Sequence, residues 1–268
     1  MKNIFSALKY MFKNIIVISL FTLPVAIFFA LKYNSTQFYH YILNIGNMET
    51  SALIQIYSNF SLLPSFNLLM IFLWGVLQIL CVCLLVSYME RHLKYGIKSC
   101  LKAFKTVNYS VLVVAPAFIT VICLEEFVSF LISLFVKLLS LSQSSLVGMI
   151  LPVMYICFIV LLFLIYSTIA LWVPIKMVTG YTNRDSIRYS IRLTQGRQFQ
   201  IMTGLMFPFI VVTPVMIGLK HLSMIQGLNT AIYVFCYIFI FGYLLAYMMI
   251  TYFNMSGIER KDCKKKLF

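Results

Sequence analysis

Six apolar runs recur along the chain, at 15–31, 68–89, 109–130, 147–173, 199–219 and 231–253. Each is close to the length of about 20 residues that carries an α-helix across about 30 Å of hydrocarbon. The polar segments between them alternate in kind. Four are basic: Lys2, Lys9 and Lys13; Arg91, Lys94, Lys98, Lys102 and Lys105; Lys176, Arg184, Arg188, Arg192 and Arg197; and Arg260, Lys261, Lys264, Lys265 and Lys266. The other three, at 32–67, 131–146 and 220–230, hold only Lys32, Lys137 and Lys220. Cytoplasmic loops keep Lys and Arg, because the translocon and the membrane potential disfavour their export. The alternation predicts an all-α, polytopic membrane bundle of six transmembrane helices with both termini in the cytoplasm, in a bacterial cytoplasmic (inner) membrane. A signal peptide is the rival reading of the first 30 residues, but Ala30 follows Phe28 and Phe29 and makes a poor cleavage site.

Helix periodicity adds interfacial helices to the spans. Ile4, Phe5, Leu8, Met11 and Phe12 form one stripe, with Lys9 and Lys13 opposite; Ile97, Cys100, Leu101, Phe104 and Val107 form another, against Lys98, Lys102 and Lys105. A basic helix with one apolar stripe lies among lipid headgroups. Near Arg188 and Arg192 the pattern is weaker, since Ser190 and Thr194 dilute the Ile187–Ile191 face.

These basic segments share a motif of capping-type, small, aliphatic and basic residues: Ser6-Ala7-Leu8-Lys9, Ser99-Cys100-Leu101-Lys102 and Asp185-Ser186-Ile187-Arg188. Ser and Asp suit a helix N-cap. A proline follows in each next span, at Pro24, Pro116 and Pro208, and the returning spans end near Gly96, Gly180 and Gly257. The chain therefore reads as one membrane domain over 1–268 with a three-fold hairpin repeat, 1–90, 91–177 and 178–258, and a basic tail at 259–268.

Composition narrows the function classes. The chain is 62% hydrophobic and 10% charged, with net charge +14, mean hydropathy +0.96 and pI near 9.5. In a soluble protein that charge would suggest nucleic acid; here it flanks apolar spans and suits anionic inner-leaflet headgroups instead. Nucleic acid is excluded as a partner. The lipid-headgroup candidates are Lys9, Lys13, Lys98, Lys102, Lys105, Arg188, Arg192, Lys264, Lys265 and Lys266, and a second membrane protein is the other candidate partner. Of seven cysteines, five lie within spans and none in an exported loop, so no disulfide framework is expected. No metal or cofactor motif is present: His40, His92 and His221 are scattered.

Ionisable groups at mid-membrane are functional by default, and the centres of the predicted spans hold none. Glu125 and Glu126 lie about 24 Å along the third span at 1.5 Å per residue, near its outer boundary. Gln78 is a lone amide in the second span, suited to helix–helix hydrogen bonding. The fifth span carries Pro208 and Pro214, which free backbone carbonyls, and Thr203 and Thr213, placed to satisfy them. Gln78, Glu125, Glu126, Thr203, Pro208, Thr213 and Pro214 are thus the substrate or pore candidates.

The stretch Trp172-Val173-Pro174-Ile175-Lys176 through Asp185-Ser186-Ile187-Arg188-Tyr189-Ser190-Ile191-Arg192-Leu193-Thr194-Gln195-Gly196-Arg197 resembles a pattern in uncharacterised bacterial six-span membrane proteins. It is also similar to the membrane domain fused to some glycerophosphodiester phosphodiesterases. That resemblance implies a helical scaffold; in the fused proteins the reaction belongs to a soluble barrel, and no catalytic residue carries over. Three function classes follow: a non-enzymatic, permease-like or export-associated protein handling lipid or another amphipathic compound; a structural or accessory subunit of a membrane complex; and a lipid-modifying enzyme. A polar cavity joining Gln78, Thr203 and Thr213 would mark the first, a tightly packed bundle with one exposed small-residue face the second, and a cleft joining a glutamate with His221 and His40 the third.

Overall fold

A computed structural model describes residues 2–32, 68–100, 104, 107–140, 147–221 and 226–263. Among them the chain is all α-helix apart from short connections and one 3-10 turn at Lys261–Cys263. The helices are α1 (Lys2–Lys13), α2 (Ile15–Lys32), α3 (Leu68–Tyr95), α4 (Val107–Ser140), α5 (Val147–Ile169), α6 (Trp172–Thr179), α7 (Asn183–Thr194), α8 (Gln198–His221) and α9 (Gln226–Ser256). Five stretches are long and apolar enough to cross a membrane, and six if α1 and α2, bent by 84° at Asn14, count as one broken span.

The long helices follow one another around a ring. α2 packs on α3, α3 on α4, α4 on α5, α5 on α8 and α8 on α9, and α9 closes the ring on α2. α9 also touches α3 and α6, and 61% of its apolar window is buried. Glycine permits its closest approaches. A Cβ at Gly242 would lie 2.6 Å from Ile18 Cγ2 on α2, and one at Gly204 on α8 would overlap the Tyr247 ring. Small residues at such crossings let backbones come together where no hydrophobic force drives helices out of lipid.

α4 departs from expectation. It continues to Ser140, through most of the segment read as an exported loop. Its 34 residues span about 51 Å, well beyond the hydrocarbon thickness. The run 131–140 remains apolar and helix-forming, and charge counting sees only its scarcity of Lys and Arg.

The repeat motif does not cap helices as expected. Ser6 lies inside α1, and α7 is capped by Thr182, not Asp185. Thr182 Oγ1 accepts from Asp185 N at 3.2 Å, the N-cap bond, and donates to Asp185 Oδ2 at 2.6 Å, so the cap lies three residues before the expected one. Ser99 immediately precedes a helical Cys100, but Leu101–Ala103, Lys105 and Thr106 lie outside the described residues, and with them most of the second interfacial helix. The glycine stops hold: Gly96, Gly180 and Gly257 have φ of 72°, 75° and 69°, the left-handed conformation that ends helices.

Candidate functional site

The basic segments, distant in sequence, meet at one end of the ring. α1 lies across it: Asn3 Nδ2 donates to Thr251 Oγ1 at 3.4 Å and Asn3 Oδ1 accepts from Asn254 at 2.9 Å, near the end of α9. Tyr10 of α1 shares a hydrogen bond of 3.0 Å with Nδ1 of His92, near the end of α3. Tyr88 donates to Asn14 Oδ1 at 3.2 Å, and the Asn14 amide donates back to the Tyr10 carbonyl at 2.8 Å. Both tyrosine rings pack on the imidazole, with centroids 5.4 and 5.7 Å away. His92 is therefore a buried structural group, not a headgroup contact; its neighbour Glu90 pairs with Lys94 at 3.8 Å. The 3-10 turn packs on α3, and Arg260 grips Asp262 through two nitrogens at 3.1 and 2.9 Å.

α6 sits inside this end, touching α3, α4, α7 and α9, with Trp172, Pro174, Ile175 and Met177 buried. Lys94 Nζ donates to the Val178 carbonyl at 3.2 Å, and Tyr109 to the Lys176 carbonyl at 2.9 Å. Lys176 Nζ donates to Asn183 Oδ1 and reaches the Leu112 carbonyl at 3.4 Å. Leu112 is four residues before Pro116, so its carbonyl is the one whose helical donor proline removes. Lys176, read from sequence as one more surface cation, closes a gap in α4.

The gap left by Pro208 in α8 is handled similarly, but not by the predicted residues. Thr203 Oγ1 donates to the Gln200 carbonyl at 2.9 Å and Thr213 Oγ1 to Phe209 at 2.7 Å. Pro208 frees the carbonyl of Gly204 instead, and Tyr243 of α9 donates to it at 3.1 Å. Next along, Tyr247 donates to the Gln200 carbonyl at 3.2 Å. Pro208 is buried, while Thr203, Thr213 and Pro214 face outward.

Gln78 is buried and accepts the Tyr237 hydroxyl, joining α3 to α9. Beside it is a cavity of about 10 Å³, lined by Thr22, Val25, Gln78, Cys81, Tyr237 and Phe241 among others, with room for about one water. Neither Thr203 nor Thr213 is among the residues that line this cavity. Glu125 and Glu126 are half-buried on α4; Glu125 Oε1 accepts from Ser129 one turn on, at 3.1 Å. Neither glutamate is brought to His92, which lies at the basic end. His221 closes α8, and His40 lies outside the described residues, as do Lys102, Lys105, Lys264, Lys265 and Lys266.

Two interfacial helices expose faces other than those expected. α1 buries Ala7, Tyr10 and Met11 and leaves Phe5 and Phe12 exposed beside Lys9 and Lys13. In α7 the buried face is polar: Ser186, Ser190 and Thr194 point inward. Ser190 and Thr194 donate to the Thr168 carbonyl at 2.9 and 3.4 Å, where the turn at Ala170 and Leu171 interrupts the α5–α6 ladder. Outward go Arg184, Arg188, Tyr189, Ile191 and Arg192. Lys98 is exposed in the connection after α3. Among the described residues no group of three His, Cys, Asp or Glu could hold a metal. Compared with family models, curated proteins and solved structures, the chain matches none.

Proposed function

We propose that this chain is a multi-pass protein of the bacterial cytoplasmic membrane, crossing six times with its basic end in the cytoplasm, and that it acts without catalysing a reaction, as a structural or accessory component. The observation that carries this reading is how its polar side chains are used. Gln78, Tyr243, Lys176 and His92 each bond to another helix, and each joins two elements instead of lining a passage. Small cross-helix hydrogen bonds of this kind hold membrane bundles together. Convergence of the basic segments on one end supports the orientation.

A permease-like role is the second reading. It is favoured by α8, a single helix that carries Gly204, Pro208, Pro214 and Gly218, since spans rich in Gly and Pro line many transport paths. One experiment separates the two. A deletion strain is analysed for lipid composition, and the full chain is recovered in mild detergent. Unchanged lipids with a stoichiometric membrane partner support the accessory role. Altered lipids with the chain recovered alone overturn it in favour of permease-like handling.

A further inference from the structure

Of the two interfacial helices with described side chains, α7 holds on to the bundle in the less usual way. Its inward face is hydroxylic, with Ser190 and Thr194 hydrogen-bonded to the Thr168 carbonyl, so its outward face is not the polar back of an amphipathic helix. That face combines cations and grease. Arg184, Arg188 and Arg192 recur every fourth residue and share one side, in line with helical geometry. All three are exposed, and none has an ion-pair partner among the described residues, unlike Arg260 and Lys94. Between Arg188 and Arg192 in sequence is Ile191, 45% exposed, and elsewhere on the helix Tyr189 packs against Tyr181, ring centroids 6.2 Å apart. The chain then turns at Gly196 and enters α8, whose first turn presents Phe199, 71% exposed.

We propose that the Arg188–Ile191–Arg192 face of α7 is a binding site for a single anionic phospholipid. The two guanidiniums take the phosphate, and Ile191 takes the start of an acyl chain. Arginine is suited to this because its planar fork meets phosphate oxygens in pairs. An acidic peptide would satisfy the arginines but leave the exposed Ile191 unexplained, whereas a lipid carries both chemistries in one molecule. Position agrees: Arg192 precedes the first residue of α8 by only six positions, and Thr194 is tied to the Thr168 carbonyl of an apolar helix. The site goes beyond the accessory role proposed above and rests on that reading only for the leaflet it faces.

The test uses the full chain in phosphatidylcholine vesicles containing a minor share of phosphatidylglycerol, extracted in mild detergent, with retained lipid counted by native mass spectrometry. Arg188→Gln with Arg192→Gln lowers phosphatidylglycerol retention by at least about fivefold, the weight of one cation near a charged surface. Lys9→Gln with Lys13→Gln, equal in charge, lowers it by less, because those cations add only bulk attraction to the anionic surface. Ile191→Asn weakens retention with every arginine in place. Equal loss in the α1 and α7 variants would mean bulk attraction only and overturn the site, as would retention unchanged in the α7 pair. If the glutamine pair misfolds, Arg188→Lys with Arg192→Lys decides: a fall supports the paired geometry and no change overturns it. Labelling of Arg192→Cys from outside the cell would remove the cytoplasmic orientation but leave the retention comparison standing, so the two fail separately.

Discussion

The α3–α9 side of the ring and the α4–α5 side are written in the same apolar residues, yet the first is a core and the second a periphery. Of their apolar windows, 61% of α9 and 44% of α3 are buried, against 22% of the Tyr109–Phe135 window of α4 and 17% of the Ile156–Thr179 window that joins α5 to α6. Hydrophobicity does not separate them. What differs is where small residues and hydroxyls point. On α9, Gly242 faces Ile18 of α2 and Met11 of α1, Ala246 is fully buried, and tyrosines 237, 243 and 247 each donate to another helix. On α4 and α5 most hydroxyls turn back on their own helix: Thr120 to Pro116, Ser133 to Ser129, Ser167 to Leu164 and Thr168 to Ile165. Lipid competes on equal terms for grease, so close backbone approach and shared hydrogen bonds decide which helices form the core.

The sharpest way to break this contrast is to block a close approach on the core side. Gly204→Val drives a branched side chain into the Tyr247 ring. We expect it to destabilise the chain by more than about 3 kcal/mol, the upper range for overpacking, read as the fall in thermal unfolding midpoint of the detergent-solubilised protein. Gly75→Ala is the paired control, because nothing lies within 4 Å of the new methyl; it leaves stability unchanged or raises it by up to about 1 kcal/mol through helix propensity. Similar midpoints for the two variants would show that close backbone approach is not what holds the core together.

The buried amide comes next. Tyr237→Phe removes the donor that Gln78 accepts and leaves a polar group buried in an apolar core. A loss of about 1–2 kcal/mol is expected, and Gln78→Leu in the same chain restores part of it, because the orphaned amide is then gone. A cavity that filled with water on Tyr237→Phe would show instead as no loss at all.

Much of the architecture is legible in the residues alone, for identifiable reasons. Spans are set by hydrocarbon thickness, which acts on any 20-residue window, so the apolar runs reappear as helices. Gly96, Gly180 and Gly257 are readable because a left-handed stop has few alternatives. Gln78 is readable because a buried amide needs a partner, although nothing local points to Tyr237, 159 positions away. What stays hidden is rotational. The stripe of α1 suggests one buried face, but contact with α9 selects Ala7, Tyr10 and Met11. In α7 the hydroxyl face turns inward, because the broken α5–α6 ladder offers a free carbonyl at Thr168. The carbonyls freed by Pro116 and Pro208 are taken by Lys176 and Tyr243, residues from other helices that no local pattern announces.

Tyr243 sharpens the contrast at a finer scale. Tyr243→Phe should cost about 0.6 kcal/mol, and at most about 1.7, the range of single hydrogen bonds inside membrane bundles. Its source is testable by a double-mutant cycle with Pro208→Ala, which returns a backbone N–H to the Gly204 carbonyl. In the Pro208→Ala background the loss of the hydroxyl should cost less than in the parent chain. Equal costs in both backgrounds would show that the phenol does not compensate for the proline.

The smallest effects belong to the periphery, and their smallness carries the information. Phe127 on α4 and Val153 on α5 are 59% and 60% exposed. Truncating a residue that already faces lipid removes little packing, so Phe127→Ala and Val153→Ala should each move stability by less than about 0.5 kcal/mol. The measurement is the unfolding midpoint of the isolated chain in detergent, repeated on chain recovered with whatever membrane component it binds. Small shifts in isolation with a larger loss in the recovered complex would place the partner on the α4–α5 side, where the ring leaves most apolar surface uncovered. Small shifts in both would assign that surface to lipid and move the search for a partner to another face of the bundle.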